Sequence, residues 1–188
     1  MSSQRLHVSL LLKERQAMNH TEYTDAEYLL EKIKESDAVL IGAASGFSAA
    51  DGHHFWYEDD QEFKDVFRKL TKRFDYHSAF DGLYYPYQNR KQYWAFIATL
   101  VHHLYQTEAG QVYKDLKTLI GDKPYHIMTT NQDFLFFQDF PENRISVIQG
   151  DWRYFQRRDG GRVDRVWKNR EWIEKMYDSI KDGQTEIP

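Results

Sequence analysis

Ala38-Val39-Leu40-Ile41-Gly42-Ala43-Ala44-Ser45-Gly46-Phe47-Ser48-Ala49-Ala50-Asp51 is the stretch on which the fold turns. Its first residues form a short apolar run, the pattern of a buried strand. The run breaks into Gly, Ala and Ser, whose small side chains let backbone N–H groups come close to a phosphate. Alone, the stretch equally describes a tight strand-to-helix turn packed with small residues. Two later segments also close apolar runs, Thr129-Thr130-Asn131-Gln132-Asp133 and Val147-Ile148-Gln149-Gly150-Asp151. Ligands of open α/β sheets bind beyond the carboxyl ends of the strands. The three segments together therefore predict one nucleotide site at that edge of a parallel sheet.

Working outward, residues 1–21 are polar around one short apolar stretch and read as an N-terminal arm, with 22–188 as the folded domain. Thr24-Asp25-Ala26-Glu27 resembles a capping box, and Tyr28, Leu29 and Ile33 continue at helical spacing up to Glu35. Further helices are predicted over 60–73, 93–106 and 109–120, the last stopped by Gly121-Asp122-Lys123-Pro124. The aromatic stretch 81–86 reads as a turn. Strands two and three are predicted over 125–130 and 145–149, with a short helical connection between them. Helix–strand alternation with strands that are apolar throughout gives the fold class α/β. The expected architecture is a Rossmann-like parallel sheet with a helical insertion, residues 53–120, between strands 1 and 2. The roughly eighty residues available there exceed what a simple crossover needs. Residues 150–170 read as a separate loop or small module.

Composition narrows the function classes. A chain of 188 residues that is 41% hydrophobic can bury one ordinary core. A net charge of −4 argues against wholesale nucleic-acid binding. The absence of cysteine removes disulfides and Cys-ligated zinc, and fits a reducing cytoplasm. No apolar stretch is long enough to span a bilayer, and no signal peptide is expected. His53-His54 and His102-His103 are adjacent pairs whose members point in different directions, so they read as polar or packing residues and not as metal ligands. Between Arg153 and Arg170 there are seven Lys/Arg and two Asp/Glu. This reads as a solvated loop, and the interleaved Trp152, Tyr154, Phe155 and Trp167 carry no nucleic-acid motif. The stripe of Tyr93, Trp94, Phe96, Ile97, Leu100, Val101 and Leu104 reads as core. Asn131 and Asp133 stay open between lining a ligand and capping the next helix, and Gln149 between a site residue and a solvated loop residue.

In this order and company, the motifs resemble those of sirtuins, and most closely the macrodomain-linked class M of microbial sirtuins. Ala44-Ser45-Gly46-Phe47-Ser48 falls where sirtuins have Gly-Ala-Gly-x-Ser, and Ala49-Ala50-Asp51-Gly52 resembles the Ala-Ala-x-Gly of class M. Thr129-Thr130-Asn131-Gln132-Asp133 is similar to the Thr-x-Asn-x-Asp pattern. Gln149-Gly150-Asp151 falls where most sirtuins have His-Gly and class M has Gln-Gly-Asp. Tyr84-Tyr85-Pro86 and Tyr93-Trp94-Ala95 also look like that class. The resemblance covers residues from about 35 to 188.

The resemblance implies NAD as the cofactor, held by Ala44, Ser45, Gly46, Phe47, Ser48, Asn131, Asp133 and Gly150, with Asn131, Asp133 and Gln149 at the reacting centre. Some of the aromatic residues would line the nicotinamide and acceptor pocket. A glutamine at position 149 cannot take up a proton at neutral pH. Deacetylation loses its general base, and protein ADP-ribosyl transfer is favoured. The implied partners are an acceptor protein, a lipoylated carrier, and a macrodomain protein. Ala44 departs from the family's first glycine. The family's four-cysteine zinc module has no cysteine here; its first pair would lie near Gln156 to Val163, so no zinc is expected and residues 152–170 are the remnant of that region. The family's second cysteine pair and the strands that contact the adenosine half of NAD would follow Pro188, so the chain is expected to carry roughly two thirds of a sirtuin core. Two alternatives stand beside transfer. One is a non-catalytic or shortened module that binds a nucleotide or protein, and the other is an NAD hydrolase or deacylase.

Overall fold

The computed structural model describes residues 24–157, 166–180 and 184–188. The expected arm, residues 1–21, and all of the expected zinc-module pair beyond Arg157 lie outside the described residues. The chain divides into two compact units, Met1–Val39 and Leu40–Pro188, each taken by itself.

The first unit holds helix α1 (Asp25–Glu35). Its capping box forms: the Thr24 hydroxyl accepts the Glu27 N–H at 3.3 Å, and the Glu27 carboxylate accepts the Thr24 N–H at 2.7 Å. Two donors that a helix start leaves without partners are closed in this way. Strand β1 (Val39–Ala43) begins where this unit ends.

The second unit is mixed α/β. After β1 come α2 (Ser45–Ala50), α3 (Gln61–Thr71), α4 (Ala79–Tyr84), α5 (Arg90–Gln106), α6 (Gln111–Ile120) and β2 (Tyr125–Thr129). Then follow α7 (Phe136–Asp139), a 3-10 turn, β3 (Ile145–Val147), β4 (Tyr154–Gln156), β5 (Val166–Lys168) and α8 (Arg170–Ser179). Strands β1, β2 and β3 form a parallel sheet in that order, with Ile127 opposite Ile145 and Thr129 opposite Val147. The α/β expectation holds, and helices α2 to α6 fill the connection between the first two strands.

Two clusters make the core. One lies among the helices and is aromatic, with Phe67 stacked on Phe96 at 5.2 Å and Tyr76 edge-on to both. The other lies on one face of the sheet, where Ala43 and Ile127 meet Tyr113, Ile120, Leu135, Phe136 and Phe140. The opposite face exposes Leu40, Met128 and Ile148. The strands read as apolar throughout, yet among the described residues of this unit one face is covered and the other exposed.

Other expectations need correction. The small-residue stretch continues straight into a helix, α2, although six residues are too few to hold a helix by themselves. Residues 81–86 are not simply a turn. Ser78 accepts the Asp81 N–H at 3.0 Å and starts α4, which runs to Tyr84. Strand three stops at Val147, so Gln149 lies in the loop beyond it. The 150–170 region contains an antiparallel ribbon with Phe155 opposite Trp167.

Asp51 ties the start of the insertion to its last helix. The N-cap of α6, Gly110, brings no side chain to the helix start. Asp51 supplies the cap from fifty-nine residues away, accepting the Gly110 N–H at 2.7 Å and the Val112 N–H at 3.0 Å. A Cβ at Gly110 would stand 2.5 Å from the Asp51 carboxylate, so this approach requires glycine. The Asp51→Ala variant is expected to lose about 1–2 kcal/mol of stability, read as a lower urea midpoint at unchanged slope. An unchanged midpoint would show that the cap is supplied otherwise.

Candidate active site

The three strand ends are brought level by two backbone bonds. The Thr130 N–H donates to the Ala43 carbonyl at 3.1 Å, and the Ile148 N–H donates to the Thr129 carbonyl at 3.0 Å. The segments after β1, β2 and β3 therefore open onto the same edge. A cleft of about 160 Å³ forms there, lined on its polar wall by Ser45, Ser48, Thr130, Asn131, Gln132, Asp133 and Gln149. Trp56, Tyr57, Phe80, Leu83 and Tyr84 from the insertion form the other wall.

The floor of the polar wall is one hydrogen-bonded group. Ser48 is buried on α2, and its hydroxyl donates to the buried carboxyl of Asp133. The Asn131 side-chain amide donates to the Ser48 oxygen at 2.8 Å, and the Tyr113 hydroxyl lies 3.4 Å from that oxygen. A serine hydroxyl has one proton and two lone pairs, so these three partners use all of it. The other oxygen of Asp133 accepts the Leu135 N–H at 3.2 Å. Burial pushes the Asp133 carboxyl above the usual carboxylate range, although the Ser48 hydroxyl and the Leu135 N–H pull it back. Burial also pushes the Tyr113 phenol well up, keeping it neutral. Asn131 is held from behind, its N–H donating to the Thr129 hydroxyl at 2.9 Å.

The expected site residues do not all fall in the same place. Ser45, Ser48, Asn131, Asp133 and Gln149 line the cleft together. Ala44 and Gly46 are exposed at the start of α2. The N-cap Ala44 makes no side-chain cap, and a Cβ at Gly46 would meet no atom within 4 Å, so the leading N–H groups of α2 are open to a ligand. Phe47 turns its ring into the core, 4.9 Å from Tyr113 and 5.1 Å from Phe136. Gly150 takes φ +107° at the turn after Gln149, a conformation that L side chains rarely adopt.

Several contributors, Tyr84 of the Tyr84-Tyr85-Pro86 stretch apart, were not singled out from the sequence. Tyr113 reads as a helix-face core residue, and only the fold brings its hydroxyl to Ser48. Phe134 adopts φ +68°, a left-handed conformation that costs about 1–3 kcal/mol in a non-glycine residue. Its buried ring, 5.0 Å from Tyr105, offsets that cost. The aromatic rim of Tyr57, Phe80 and Tyr84 is exposed, with successive rings 5.5 and 5.0 Å apart. Phe80 and Tyr84 sit at helical i, i+4 spacing, which signals a shared face but not that the face is open.

No protein-family model matches the chain. The chain is similar to a protein of Staphylococcus aureus (strain Mu50 / ATCC 700699) named protein ADP-ribosyltransferase. The two are 31% identical over 159 residues, which take in 84% of this chain and 49% of that protein. The chain thus spans about half the length of the curated relative that it matches. Among the described residues, no helix is long and apolar enough to cross a membrane.

A second polar group flanks the site where α2 leads into the insertion. Glu62 accepts from His103 Nε2 at 2.8 Å and meets His53 Nδ1 at 3.2 Å; the Asp51 carboxylate stands 3.9 Å from the other side of the His53 ring. Burial alone would raise the Glu62 carboxyl, but the hydrogen bonds of His103 and His53 outweigh it and bring the pKa to about 2. The Glu62 bond likewise raises His53 above its usual 6.5. Glu62 is depressed, so its contribution is complete above 4.5 and fades as the pH falls toward 2. His53 is raised, so its contribution is complete below 6.5 and fades as the pH rises through its folded value. The stability gap between the wild type and Glu62→Gln is therefore expected to peak between pH 4.5 and 6.5, at roughly 1–3 kcal/mol. Urea midpoints taken across that range check it; a gap that stays flat with pH would contradict the linkage.

Proposed function

We propose that this chain is a sirtuin-like, NAD-dependent protein ADP-ribosyltransferase that acts in the cytoplasm. The observation that carries the reading is the junction of Ser48, Asn131, Asp133 and Gln149 in one cleft at the carboxyl edge of the sheet. The similarity to a protein named as an ADP-ribosyltransferase supports ADP-ribosyl transfer in general. The open first turn of α2 fits a pyrophosphate, because a helix start offers unpaired N–H groups and partial positive charge. A cleft of about 160 Å³ is smaller than the roughly 300 Å³ at which pockets begin to enclose a whole drug-sized ligand. It fits the ribose–nicotinamide end of a dinucleotide.

NAD would supply the ADP-ribosyl group, the nicotinamide–ribose bond breaking with its electron pair leaving on nicotinamide. Asn131, fixed by Thr129 and Ser48, orients a ribose hydroxyl or the attacking group. Asp133 sets a buried carboxyl where positive charge develops on the sugar, and a preorganised dipole or charge there is worth several kcal/mol. Ser48 acts on both by holding them, since its hydroxyl is fully engaged inside the protein. Gln149 is neutral and cannot act as a general base, so it orients a hydroxyl. The aromatic rim faces the acceptor, which we take to be a lipoylated carrier protein, with a macrodomain protein as a further partner.

The second reading is a module that binds a nucleotide or protein without turnover. The small cleft favours it. Incubating the purified chain with NAD and following nicotinamide release separates the readings. The transfer reading expects release, ADP-ribose on an added lipoylated carrier, and losses of about a hundredfold in Asn131→Ala and Asp133→Asn. Release without transfer would make the chain a hydrolase. No release, with no NAD binding by calorimetry, would sink both enzymatic readings.

A further inference from the structure

We propose that Gln132 is a positioning residue that holds the Gln149-Gly150 turn against Asn131 and Asp133. Its functional meaning rests on the transfer reading above; its placement rests on geometry alone. Gln132 lies between two residues of the polar wall, and its side chain reaches the exit of the third strand. Its Nε2 donates to the Gln149 carbonyl at 3.0 Å, and its Oε1 accepts the Trp152 indole N–H at 2.8 Å.

The two partners have fixed and opposite polarity, since a carbonyl only accepts and an indole N–H only donates. A primary amide of this length satisfies both at once. A carboxylate would keep the indole bond and set oxygen against oxygen at Gln149. An apolar side chain would hold neither group and leave both to solvent. The turn is closed tightly over this amide: Gly150 is at φ +107°, and a Cβ there would lie 3.3 Å from Gln132 Nε2.

Trp152 is anchored from behind. Its carbonyl accepts from Asn169 Nδ2 at 2.7 Å, and Asn169 Oδ1 accepts the Tyr105 hydroxyl of α5 at 2.8 Å. Asn169 is 1% exposed, so these bonds are shielded from water. A line of paired groups thus runs from the long helix α5 through Asn169, Trp152 and Gln132 to the backbone of Gln149. It fixes the backbone of Gln149 and leaves that residue's side chain on the cleft wall. Tyr105 also packs against Phe134, next to Asp133, so both sides of the polar wall refer to the same helix.

The test compares Gln132→Leu and Gln132→Glu with the wild type. Solvent exchange of the Trp152 indole N–H is read by NMR, the resonance being assigned by its loss in Trp152→Phe. Turnover is read as kcat and KM for NAD consumption. Gln132→Leu is expected to speed indole exchange and lower kcat about tenfold, with KM for NAD within about twofold. Gln132→Glu is expected to keep slow indole exchange yet lose kcat to the same extent, a split that general unfolding would not produce. Adding Gln149→Ala to Gln132→Leu should cost little more than Gln149→Ala alone, because the two act through one group. Unchanged indole exchange and unchanged kcat in Gln132→Leu would overturn the proposal. If the wild type releases no nicotinamide, the transfer reading falls by itself. The exchange pattern then decides the positioning: fast in Leu and slow in Glu upholds it, and slow in both overturns it.

Discussion

The buried carboxyl of Asp133 is the constraint from which the site is built. Placing an ionisable oxygen pair in a nearly dry position costs several kcal/mol unless hydrogen bonds repay it. The repayment comes from the Ser48 hydroxyl and the Leu135 N–H. Ser48 must then be held in turn, and the Asn131 amide and the Tyr113 hydroxyl converge on it. One carboxyl therefore fixes the relative placement of α2, the segment after β2, and α6. The sheet serves this by bringing its strand ends level through the Thr130–Ala43 and Ile148–Thr129 backbone bonds.

Much of this was legible in the sequence, for a physical reason. Three short apolar runs, each closed by polar or small residues, mark three buried strands, and parallel strands put their carboxyl ends on one side. The segments that hold Ser48, Asn131, Asp133 and Gln149 are marked in that way, the resemblance picks the four residues out within them, and they line one cleft. The rest was set by tertiary structure. Six residues are too few to hold a helix by themselves, so α2 exists because Phe47 packs on Tyr113 and Phe136 and because Ser48 is bonded from beneath. The same packing takes the Phe47 ring away from the cleft. Tyr113 and Gln132 show nothing special locally. Their roles depend on partners sixty-five and twenty residues distant, which no period or spacing displays.

The insertion does more than bridge two strands. Asp51 caps α6, which carries Tyr113 to the floor of the site, while α4 carries Phe80 and Tyr84 to its rim. The His53–Glu62–His103 group stitches the exit of α2 to α3 and α5 within the same region. The polar wall thus comes from α2 and the segments after β2 and β3, and the apolar wall from the insertion.

This division bears on the choice between transfer and hydrolysis. Tyr57 is 61% exposed and Tyr84 75% exposed, and both line the same cleft as the polar wall. Exposed aromatic rings at the mouth of a cleft gain from being covered, roughly 25 cal/mol for each Å² of apolar surface removed from water. A protein acceptor with an apolar surface would gain this term and at the same time expel water from the polar wall. Water as acceptor gains nothing from the rim. On the transfer reading proposed above, the second wall therefore favours an acceptor that covers it over water.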